Sequence, residues 1–75
     1  MTRDDLPDWL VWDSWVRKAD GRIFWAALTA KAFTIPGRGD AVVPRGVWVF
    51  FDEDGDPCAM GDARFKREFI HLPRA

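Results

Sequence analysis

The chain has no tyrosine, asparagine or glutamine, and only one serine (Ser14), one histidine (His71) and one cysteine (Cys58). Each shortage excludes something. A single cysteine forms no intramolecular disulfide and nearly excludes a cysteine-based metal site. Small secreted domains usually depend on such staples, so a reducing cytoplasm is expected. His71 has no second histidine, and Ser14 stands between Asp13 and Trp15. A nucleophile, base and orienter cannot be composed from this inventory. No catalytic residue, metal or cofactor is expected. Without Asn or Gln the usual readers of adenine edges are missing. No apolar run approaches the ~18 residues of a membrane-spanning helix, and Met1-Thr2-Arg3-Asp4-Asp5 is too acidic for a signal peptide. The expectation is a cytoplasmic protein with no membrane partner.

What is abundant is aromatic. Five Trp and six Phe stand among 75 residues. A chain of this length buries only roughly 60–65% of its unfolded surface, which leaves a core of Leu and Val thin. Rings that each bury about 150–250 Å² can close it. Some of these rings are surplus to a core of this size and are candidates for an exposed interaction patch. There is no linker, repeat or low-complexity tract, so residues 1–75 are read as one compact domain.

The strongest local signal is Gly46–Met60. The run Val47-Trp48-Val49-Phe50-Phe51 meets Asp52-Glu53-Asp54-Gly55-Asp56, and a weaker apolar run, Pro57–Met60, follows. Asp-Gly between apolar runs marks a β-hairpin, because Gly takes the positive φ of the turn without a Cβ clash. Val47–Phe51 is therefore predicted as a strand, residues 52–56 as an exposed acidic tip, and Pro57–Met60 as a short or edge return strand.

The other elements follow in order. Asp5-Leu6-Pro7-Asp8 reads as a helix start. Trp9, Trp12, Trp15, Val16 and Ala19 then share one arc at helical spacing, opposite Asp13, Ser14, Arg17 and Lys18, which predicts an amphipathic helix with the tryptophans in the core. Leu10 breaks the pattern and is expected outside. A competing reading pairs Trp12–Lys18 with Arg22–Ala27 as a hairpin around Ala19-Asp20-Gly21. Arg22–Ile35 is read as one long strand with Phe24, Ala26, Leu28, Ala30 and Ala32 on its apolar face, although its alanines favour helix. Pro36–Asp40 is a loop. Ala63–Leu72 is read as a short helix burying Phe65, Phe69 and Leu72 and ended by Pro73. The predicted fold is α+β: an N-terminal amphipathic helix, a three-stranded antiparallel sheet and a short C-terminal helix.

The net charge of −1 is segregated: −2 over residues 1–20, +3 over 21–50, −5 over 51–62 and +3 over 63–75. Such blocks set up local fields that steer partners more than they affect folding. Asp52, Asp54 and Asp56 alternate like calcium ligands, but Pro57 and Ala63 stand where an EF-hand loop needs Gly and Glu. The acidic tip, Asp52, Glu53, Asp54 and Asp56, is instead a candidate partner-binding patch. The basic segment Arg64, Lys66, Arg67, His71 and Arg74 is a second, able to grip phosphates or an acidic partner. Arg38-Gly39-Asp40 spells a tripeptide that integrins recognise, but in a chain with no sign of secretion it reads as a flexible turn.

Small size, abundant Trp, absent catalytic groups and blocks of opposite charge together resemble the phage-encoded anti-CRISPR proteins. The resemblance is one of general character and carries no shared motif. It implies a non-catalytic inhibitor in the host bacterial cytoplasm that docks on a CRISPR effector complex and blocks target DNA binding. Asp52, Glu53, Asp54, Asp56, Arg64, Lys66 and Arg67 are the residues expected to meet the partner, a larger protein or nucleoprotein complex. Direct nucleic-acid binding is disfavoured by the net charge. The alternatives are a small nucleic-acid binder using the basic segments, or a homo-oligomeric phage structural protein. A monomer or homodimer is expected.

Overall fold

The computed structural model describes residues 2–37, 39 and 41–73. Arg38, Asp40 and Arg74, which belong to the tripeptide and to the basic C-terminal segment, lie outside the described residues. A 3₁₀ turn at Arg3–Asp5 precedes β1 (Asp13–Arg17), β2 (Ile23–Leu28), β3 (Phe33–Thr34), β4 (Val42–Val43), β5 (Val47–Phe51), β6 (Pro57–Gly61), α1 (Asp62–Glu68) and β7 (Phe69–His71). Five strands form one antiparallel sheet in the order β6-β5-β2-β1-β7, and β3 and β4 form a separate two-stranded ribbon.

The predicted N-terminal helix and three-stranded sheet are thereby corrected: the fold is mostly β, with one short helix. The residues read as a helix contain β1, and the competing hairpin around Ala19-Asp20-Gly21 is the one observed. Its turn is closed by Arg17 N–H donating to Arg22 O and Gly21 N–H donating to Arg17 O, both 2.8 Å, with Gly21 at φ +73°. The physical reason lies in β2. As the central strand it carries backbone donors and acceptors on both edges, and a helix over Trp9–Ala19 would satisfy none of them. An isolated helix of that length is itself marginal.

Two further boundaries differ from the sequence reading. The long strand expected over Arg22–Ile35 stops at Leu28 because buried Thr29 captures the incoming chain. Its hydroxyl donates to Pro44 O (2.9 Å) and accepts from Val47 N–H (3.0 Å), while its carbonyl accepts from Gly46 N–H. The C-terminal helix ends at Glu68, and Phe69–His71 pairs with β1 as an edge strand instead. The hairpin β5–β6 matches its expectation: Val47–Phe51 pairs with Pro57–Gly61, and Gly55 takes φ +82° in the tip.

Two apolar clusters hold the sheet. On one face α1 presses Phe65 onto Trp48 and Phe69. Phe65 stacks on both, its ring centroid 4.5 Å from that of Trp48 and 4.5 Å from that of Phe69, and Trp15, Phe24 and Phe50 border the stack. Asp62, the first residue of α1, accepts a 2.8 Å hydrogen bond from Trp48 Nε1 and so ties the helix start to β5. On the other face Ala27 and Val49 lie under Leu6, Leu10, Ile35 and Val43, with Trp9, Trp12 and Phe33 packed around them. Leu10, expected outside, is in this core.

Candidate interaction surface

The second cluster covers only part of its sheet face. Side chains alternate across a strand, and the register Val16↔Ile23 and Val16↔Ile70 puts these three residues in one row on that face. Ser14↔Trp25, with Leu72 N–H donating to Ser14 O (3.0 Å), makes the next row Trp25, Ser14, Leu72. The core segments stop short of both rows. Ile23 is 60% exposed, Ile70 56%, Trp25 45% and Leu72 38%. Large apolar side chains contiguous on one face are uncommon on monomers and mark interaction sites.

At the β2 side the patch opens into a groove of about 360 Å³ that includes Ile23, Trp25 and Phe51 and is bordered by Arg3, Arg22, Asp52 and Glu53. The Arg3 guanidinium lies 4.4 Å from the Trp25 ring centroid, a cation–π contact at the border of the groove.

The outermost strands are partly blunted by contrast. The hydrogen-bond register makes residues 69, 71 and 73 the outward positions beside β1, and 57, 59 and 61 those of β6. Pro73 and Pro57 have no donor to offer, and Phe69 N–H is spent on Phe65 O at the end of α1. Proline at outward positions blunts strand addition.

The residues expected to bind fall on two separate surfaces. At the tip, Glu53 is held by Arg17, which also grips Asp20 through Nη2 (2.5 Å) and Nε (3.1 Å). Arg17 holds the Glu53 carboxyl below the usual carboxylate range, and it holds that of Asp20 down at about 2. Asp52 is structural: its Oδ1 accepts from Asp54 N–H and Asp56 N–H, both 2.9 Å. Glu53 and Asp52 are therefore engaged within the chain. On α1, Arg64 pairs with Glu68 (2.8 Å) and Lys66 with Asp62 (3.4 Å). Arg67 has no ion pair among the described residues and borders a groove with Arg17, Lys18 and Glu68.

Among the described residues, Cys58 and His71 stand on strands at opposite edges of the sheet. Burial, with Asp52 beside it, pushes the Cys58 thiol up, away from the nucleophilic thiolate. His71 Nε2 lies 2.7 Å from Asp13 Oδ2 on the face that carries α1, whereas Ser14 belongs to the opposite face. The described residues include no group of three or more His, Cys, Asp or Glu placed to hold a metal ion, and no helix among them is long and apolar enough to cross a membrane. No family model, curated protein or solved structure matches the chain.

Sequence reading missed the apolar patch because it assigned β1 to a helix and the residues of β7 to the C-terminal helix. A signal was present in β2, where Ile23 and Trp25 alternate with Phe24 and Ala26 and so make both faces of the strand apolar.

Proposed function

We propose that this chain is a non-catalytic docking protein that binds a larger protein through the exposed face of β2, β1 and β7. The observation that supports it is the two-row apolar patch around Ile23, Trp25, Ile70 and Leu72, on a sheet whose edges are blunted by proline. Trp is among the side chains that contribute most to binding energy at protein interfaces, and Trp25 stands here among exposed aliphatic neighbours. The specific form we retain is the anti-CRISPR type: a stoichiometric inhibitor seated on a CRISPR effector so that target DNA no longer binds. In this reading the charges of the acidic tip and of α1 steer the encounter from a distance, and the patch is the anchor.

The test adds the chain to a panel of CRISPR effector complexes and measures capture, with and without nuclease, and target DNA binding. Nuclease-resistant capture and lost DNA binding are expected with the natural chain, and neither with the Ile23→Thr, Ile70→Thr double variant. Capture that vanishes with nuclease would overturn the reading in favour of nucleic acid. A double variant as active as the natural chain would remove the face from the mechanism.

A further inference from the structure

We infer that the occupant of this face is an amphipathic helix of the partner, apolar on the side it lays across β2, β1 and β7 and acidic where it passes Arg3 and Arg22. The inference rests on the docking reading above and adds the shape and charge of what docks.

Shape comes first. The bare area is three strands wide, ~10 Å at the usual strand spacing, which matches the ~10–12 Å diameter of a helix with its side chains. The opposite face shows the same solution within the chain: α1 lies on the sheet and inserts Phe65 among the rings. A strand is the other common occupant of a sheet, but strands add at edges, and here Pro57 and Pro73 stand at the outward positions. A second copy of this chain meets a different obstacle. Stable homodimers bury about 800 Å² or more per partner, whereas the apolar rows amount to four large side chains, none more than 60% exposed.

Charge comes second. Arg3 has no carboxylate partner among the described residues, and its guanidinium lies over the Trp25 ring. Arg22 stands 3.6 Å from Asp20 and 3.7 Å from Glu53, both of which are bound more closely by Arg17. Asp52, on the same groove, has its Oδ1 occupied by two backbone donors. Two guanidinium groups thus border the groove beside Ile23 and Trp25: Arg3 has no carboxylate partner among the described residues, and Arg22 shares both of its carboxylates with Arg17. Arg meets carboxylate in a fixed planar fork, so carboxylates at one flank of the helix satisfy both.

The experiment uses the full chain and two synthetic helical peptides of about 18 residues, long enough for a stable amphipathic helix. Both carry the same leucine face; one has Glu and the other Lys at the flanking positions. Binding is followed through the amide resonances of the chain. The Glu peptide is expected to shift Val16, Ile23, Trp25 and Ile70 and to bind about 3–10-fold tighter than the Lys peptide, the range set by two exposed ion pairs. Arg3→Glu with Arg22→Glu should reverse the preference, and a central proline in the peptide should abolish binding.

Equal affinity for the two peptides, shifts confined to another surface, or no binding by either would overturn the inference. So would patch resonances that move with the concentration of the chain alone, which would put a second copy on the face. None of these results touches the docking reading if the Ile23→Thr, Ile70→Thr variant still loses its protein partner. If that variant keeps its partner, the docking reading itself falls.

Discussion

The two faces of the sheet are built from the same alternation and finished differently. Under α1 every large side chain at the centre is closed over: Phe24, Phe50, Phe65 and Phe69 are buried, and Trp48 and Trp15 close the margins. On the opposite face the N-terminal segment and the β3–β4 ribbon cover the β5 side, while Ile23, Trp25, Ile70 and Leu72 stay exposed on the other. The comparison separates two uses of apolar surface. Burial on folding stabilises by roughly 25 cal/mol per Å², so the covered face supports the fold. Side chains left in water contribute little to folding, and their free energy of burial remains available to association.

That difference can be broken from the folded side first. Phe65 is fully buried between Trp48 and Phe69. Phe65→Ala should cost about 3–5 kcal/mol, against a total of about 4–11 kcal/mol for a chain of this length. In urea the expected outcome is a largely unfolded protein, or a midpoint lowered to a small fraction of the natural value. Thr29→Val should come next. It preserves shape but strips Val47 N–H of its acceptor, at about 1–3 kcal/mol for a buried donor left unpaired. Threonine at 29 is predicted to matter through its hydroxyl, so Thr29→Ser should recover most of the loss.

The legible parts of the fold were those decided within a few residues. The β5–β6 hairpin follows from Asp54-Gly55 between apolar runs, and Phe65 and Phe69 were readable as buried rings. What was not legible depended on partners far along the chain. Trp12, Trp15 and Val16 satisfy a helical arc and a strand alternation equally well. The decision came from β2, whose central position requires a strand on each side. Likewise, nothing local ends the apolar run at Leu28; Thr29 ends it by bonding Pro44 and Val47. The candidate surface inherits both misreadings, since its rows exist only once β1 and β7 lie beside β2. The charged residues were readable as charged, but whether each was already paired was not. Arg17 decides that for Glu53 across a separation of 36 residues.

Arg17 also links the two regions to pH. Asp20 is held down from 3.8 to about 2, and Glu53 below its ordinary 4.5, with the Arg17 hydrogen bond the largest cause for both. A carboxyl whose folded value is depressed contributes stability above its unfolded value and loses it as pH falls through the folded one. Stability is therefore expected to fall between about pH 4.5 and about pH 2, measured by thermal melts across that window. Asp20→Asn with Glu53→Gln should flatten the part of the slope due to this pair. Both carboxylates are exposed, so added salt should shrink the effect.

The smallest expected effect sharpens the comparison most. Ile23→Thr and Ile70→Thr keep the β-branched shape that suits a strand and remove apolar atoms that already face water. Surface changes of this kind fall within about 0.5 kcal/mol, so the melting temperature should hardly move. If the double variant instead unfolds as readily as a core variant, the exposed rows are supporting the sheet and the two faces do not differ in kind. If it melts like the natural chain and loses its partner, stability and binding reside on opposite sides of the same strands. Val16 makes that separation testable within a single row, because it lies between Ile23 and Ile70 and is less exposed than either. Val16→Thr should therefore register in both measurements, weakly in stability and more strongly in binding.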